Sequence, residues 1–91
     1  MTKDQLRKIL ENLRFAETIY KYDFVLERII DKDFMFMVIN NIQYKANKND
    51  RVTFTICNDN MVKVTLISEP KQAELFTDVN DIKVISWQSS L

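Results

Sequence analysis

Two aspartate pairs and one cysteine are the residues best placed to do chemistry in this sequence. Asp31-x-Asp33 and the pair Asp78 and Asp81 could offer oxygens to a hard cation. Mg²⁺ or Ca²⁺ takes about six or more oxygens, and no third ligand stands near either pair, so both read as turn formers. Cys57 would need to be a thiolate to act as a nucleophile. With no base beside it, it reads as a half-buried structural thiol. The absences narrow the chemistry further. There is no histidine and a single cysteine, hence no Ser-His-Asp triad, no Cys-His pair, no imidazole base and no zinc site of the usual kind. There is no glycine either, so the loops that let backbone approach a phosphate closely, GxxxxGK[ST] and GxGxxG, are missing. No catalytic residue, cofactor, nucleotide or metal is therefore expected. An enzyme would be limited to carboxylate or Lys/Tyr chemistry, for which no constellation is visible.

The basic residues are the next candidates. Lys21, Lys45 and Lys63, with Lys3, Arg7 and Arg14 along a helix flank, could contact phosphates. Against this stands the overall balance of thirteen basic and thirteen acidic residues, which removes the positive field that nucleic acids and anionic membranes select first. The aromatics that would stack bases also fall on the other parity from these lysines. A nucleic-acid-associated protein using the Lys-bearing face is the alternative reading, behind a solvated sheet face.

The elements that position these residues follow from periodicity. Thr2 and Gln5 form a capping-box pattern that starts a helix near Lys3. Leu6, Ile9, Leu10, Leu13, Ala16 and Tyr20 continue it as one apolar stripe until, shortly after Phe15, the period changes from 3.6 to 2. Tyr20, Tyr22, Phe24 and Leu26 then alternate with polar residues as a half-buried strand. Asp31-Lys32-Asp33 is read as the first turn and Phe34 as the start of a second strand that runs through Asn40-Asn41 to Ala46. A two-residue hairpin turn at Asn40-Asn41 is the second choice. After a loop over 47–51 come Val52 to Ile56, the turn Asn58-Asp59-Asn60, and Val62 to Leu66. Loops of three, five and three residues would pair even with even, setting Ile30 opposite Phe34, Tyr44 opposite Phe54 and Ile56 opposite Val62. Ser68-Glu69-Pro70 reads as the start of a short helix carrying Ala73, Leu75, Phe76 and Val79. Ile82 to Trp87 reads as a last strand, and residues 88–91 as a frayed end. The expected architecture is one α+β domain over 1–91: an N-terminal helix packed on a four-stranded antiparallel meander, then a short helix and a C-terminal strand, in the order α-β-β-β-β-α-β.

Phe34 to Ile39 is the longest unbroken apolar run, and as a strand it is apolar on both faces. Even parity assigns Phe34, Phe36 and Val38 to the core. Its outer edge needs a partner strand, for which Ile82 to Trp87 has the right length, from its own chain or from a second copy. Val25, Ile29, Met35, Met37 and Ile39, with Glu27 as the one charge, would then form an apolar hairpin arm. The C-terminal helix could cover it, or a partner could. The leading expectation is a non-enzymatic protein-binding module that docks through this arm, as a homodimer or onto another protein, in the manner of an inhibitor, immunity or adaptor protein. Early charges at Lys3, Asp4, Arg7, Lys8 and Glu11 leave no room for a signal peptide, and no run reaches the ~20 apolar residues that span a bilayer. A cytoplasmic location follows, and the wealth of Lys, Asn and Ile fits an AT-rich bacterium or a phage or mobile element of one.

Overall fold

The computed structural model describes residues 1–31 and 34–88. Helix α1, Lys3–Asn12, begins with the expected capping box: Gln5 N donates to Thr2 Oγ1 at 3.1 Å and Thr2 N to Gln5 Oε1 at 2.8 Å. Its buried face carries Leu6 and Leu10. Arg14, at φ 66°, cannot continue a right-handed helix and turns the chain into the first strand.

Among the described residues eight strands follow: β1 (Ala16–Tyr20), β2 (Asp23–Ile29), β3 (Phe34–Ile39), β4 (Ile42–Asn47), β5 (Arg51–Ile56), β6 (Met61–Ser68), β7 (Lys71–Asp78) and, after a short 3₁₀ turn at Val79–Asp81, β8 (Ile82–Gln88). They form two antiparallel sheets, β1-β2-β5-β6-β7 and β4-β3-β8. The sheets face each other across one core. Leu26, Val52, Phe54, Ile56, Val62 and Val64 come from the larger sheet, Met35, Met37, Ile39, Ala46 and Ile82 from the smaller, and Leu6, Leu10 and Phe15 close one end. The Phe15 ring meets Phe54 edge to face at 5.8 Å. No helix among the described residues is long and apolar enough to cross a membrane.

The α+β class, the capping box, the β5–β6 hairpin with Ile56 opposite Val62, and the strand Ile82–Gln88 beside β3 agree with the sequence. The single meander and the second helix do not. What reads as one strand from Tyr20 is a hairpin: Tyr20 pairs with Asp23 around Lys21-Tyr22, and Lys21 takes φ 56° without glycine. Asn40-Asn41 is a two-residue turn with φ 51° and 63°, the signature of a type I′ hairpin, in which asparagines serve where glycine is the usual choice. Ile30 does not oppose Phe34, nor Tyr44 Phe54, because β2 pairs with β1 and β5 while β3 pairs with β4 and β8. The 69–70 segment is a turn with a cis Glu69–Pro70 peptide, and Lys71–Asp78 is a strand on β6 in place of a helix. Adjacent Leu75 and Phe76 suit either period, and the open edge of β6 decides in favour of the strand. The expected turn residues Lys32 and Asp33, and positions 89–91 of the end expected to fray, lie outside the described residues, whereas Gln88, expected to fray with them, ends β8 opposite Phe34.

Candidate protein-binding surface

Strand β3 has two apolar faces, and the fold uses them differently. Met35 and Met37 are 0% exposed and Ile39 is 1%, all three facing the larger sheet. Phe34, Phe36 and Val38 alternate with them and so lie on the outer side of β4-β3-β8. These three are half-buried, yet they belong neither to the core cluster nor to the residues packed against it. The Phe34 and Phe36 rings stand 5.9 Å apart at 55°. Lys45, opposite Phe36 on β4, holds its Nζ 4.2 Å from the Phe34 ring centroid, a cation–π distance. Gln43 opposes Val38 on one side, and Ser86 opposes Phe36 on the other. The result is a small apolar patch with one cation over it and amide and hydroxyl groups beside it. Chemically it can bury apolar side chains and accept a carboxylate at Lys45.

The six residues expected to form an arm are divided between the sheets. Met35, Met37 and Ile39 lie in the core, whereas Val25, Glu27 and Ile29 lie on the outer face of the larger sheet, because β2 and β3 are not a hairpin. There Ile29 is 54% exposed, and Glu27 accepts from Thr53 Oγ1 at 3.1 Å and stands 3.9 Å from Arg51. The outward role within Phe34–Ile39 thus falls to the other parity. The signal was present in the two-sided apolarity of the run. The turn at Asn40-Asn41, which reverses parity between β3 and β4, is what hid it.

The basic residues are also dispersed. Lys3 Nζ donates to the carbonyls of Cys57 and Asn58, at 3.4 and 3.0 Å. Arg7 forms a two-bond pair with Glu17, Nε to Oε1 at 2.8 Å and Nη2 to Oε2 at 3.1 Å, and lies 3.8 Å over the Phe24 ring. Hydrogen bonding to Arg7 draws the Glu17 carboxyl below its ordinary value and pushes the Arg7 guanidinium up. Arg14 is exposed, Lys21 sits 5.6 Å from the Tyr20 ring, and Lys63 is 3.9 Å from Glu74. Lys45 and Lys63 belong to different sheets.

The remaining candidates are tied into local structure. Asp31 accepts from Arg28 at 2.6 Å, Asp78 Oδ1 accepts from Asn80 N at 2.9 Å, and Cys57 Sγ lies 3.8 Å from Thr55 O. Burial pushes the Cys57 thiol up, with Asp23 and Asp59 adding to it. Among the described residues no group of three or more His, Cys, Asp or Glu side chains could hold a metal ion. Comparison with protein-family models, with curated proteins and with solved structures yields no match for this chain.

Proposed function

We propose that this chain is a non-enzymatic protein-binding module of the small accessory kind, which docks a partner on the outer face of β4-β3-β8. One observation carries the reading: β3 is apolar on both faces, and the side chains of only one face enter the core. A strand of this composition ordinarily has cover on both sides. Completing the burial of Phe34, Phe36 and Val38 would stabilise a complex by burying apolar area at about 25 cal/mol per Å². Lys45 favours a partner that sets an acidic side chain beside its apolar ones.

Affinity capture from the producing cell, run in parallel with wild type and Phe36→Asp, tests this. A protein retained by wild type and lost by a folded Phe36→Asp chain supports the surface. Identical captures by both would refute it. Val38→Asp serves as the second variant should Phe36→Asp fold poorly.

A further inference from the structure

We infer that strand β1 is a self-association edge, pairing antiparallel with β1 of a second copy so that two five-stranded sheets join into one of ten strands. This surface lies on the other sheet from the docking face above and stands independently of it.

β1 is the terminal strand of its sheet, and all five of its residues are exposed. Edge strands of this kind are ordinarily blunted by lysine, proline, a bulge or a covering loop. Ala16–Tyr20 contains no lysine or proline, its one charge, Glu17, is drawn to Arg7 of α1, and its pairing with β2 runs without a register shift. Exposed apolar side chains collect here: Ile19 is 65% exposed, Tyr20 64% and Tyr22 79%.

The backbone polarity fits self-pairing. Ile30 N donates to Asp50 O, so the even positions along β2 bond toward β5 and the odd ones toward β1. Val25 and Glu27 therefore bond Thr18 and Ala16, which leaves the N–H and C=O of Glu17 and Ile19 directed away from the sheet. Two-fold antiparallel pairing needs such a residue, or the midpoint between two of them, on its axis. Centring on Glu17 sets two carboxylates opposite each other, and centring on Thr18 sets Glu17 against Ile19. Centring on Ile19 pairs Ile19 with itself through two backbone hydrogen bonds, sets Thr18 against Tyr20, and brings Glu17, whose carboxylate also accepts from Arg7, toward Lys21 in the turn just past β1 of the second copy, twice. Opposite charges directly across strands stabilise and like charges destabilise, so this register is selected. Two other edges lack this match: the charges of β4 and its following loop begin with Lys45 and Lys48, both basic, and centring β7 on Glu74 opposes it to itself. A five-strand-residue contact lies at the small end of specific interfaces, so a weak, concentration-dependent dimer is expected.

Sedimentation equilibrium over a concentration series tests this on wild type and variants. Wild type should move from monomer to dimer as concentration rises, and a chain that stays monomeric to about 1 mM overturns the inference, since a weaker contact is below specific association. Lys21→Glu should weaken the dimer on the order of tenfold. Equal dimerisation by wild type and Lys21→Glu overturns the register. Ile19→Pro removes an outward N–H while sparing the ladder to β2, and should abolish the dimer with the circular dichroism spectrum retained. A dimer that survives Ile19→Pro but is lost in Phe36→Asp would place self-association on the docking face and overturn the edge. If Ile19→Pro fails to fold, Ile19→Lys supplies the same reading.

Discussion

Arg7 and Glu17 form the best-defined ion pair of the described surface, two bonds joining α1 to the edge strand. Because the folded-state pKa of Glu17 is lowered by that bonding, its contribution is present above the ordinary glutamate range and is lost as pH falls through the depressed folded value. Both side chains are about one-third open to solvent, whose screening keeps the effect on stability small. The expected outcome is a Glu17 carboxyl that titrates below ordinary glutamate by NMR and returns upward in Arg7→Ala. Cys57 shifts the opposite way. Its thiol is held protonated at neutral pH by burial and by nearby aspartates, so reaction with a disulfide reagent should be slow at pH 7 and rise only in alkaline solution.

At the scale of elements, the chain makes its turns without glycine. Arg14, Lys21, Asn40, Asn41 and Asn49 all carry positive φ. Asn tolerates this region because its short polar side chain can hydrogen-bond locally. Replacing Asn41 with Ala should cost about 1 kcal/mol in urea unfolding, whereas Asn41→Gly should be neutral or stabilising. At the other end of the chain, Thr2→Ala should cost about 1 kcal/mol by removing the cap of α1. These elements also show what was legible in the sequence. The capping box rests on a fixed spacing and was readable outright. So was the β5–β6 hairpin, because Val52 to Leu66 alternates on both sides of a polar turn. The turn at Lys21-Tyr22 was not, and the one at Asn40-Asn41 ranked only second, since each reverses parity while the apolar alternation on both sides looks continuous. Parity alone cannot distinguish a strand that continues from one that folds back. The same limit chose Met35, Met37 and Ile39 for the surface and left Phe34, Phe36 and Val38 in the core, the reverse of their places in the fold.

Considered whole, the molecule places two apolar rows of one strand in opposite environments, and a pair of substitutions separates them. Met37→Asp puts a carboxylate in the core, where an unpaired charge costs several kcal/mol or is neutralised by a pKa shift, a loss on the order of the whole margin of a chain this size. It should be unfolded by near-UV circular dichroism. Phe36→Asp, one residue away, should fold and lose only about 1–2 kcal/mol. If both unfold, the outer face is structural and not a docking surface. Binding to any oligonucleotide should be absent at low salt, because Lys45 and Lys63 lie in different sheets while Lys3 and Arg7 are engaged. Fluorescence anisotropy with single- and double-stranded probes checks this.

The position of β8 against β3 has a consequence for how the chain is made. On the ribosome β3 is complete at Ile39, but the strand that closes its second edge begins only at Ile82. At ~5–20 residues per second, the intervening synthesis takes roughly 2–9 s. For that interval the most apolar segment of the nascent chain is bound on one edge at most, which makes it the segment a cellular holdase would meet first.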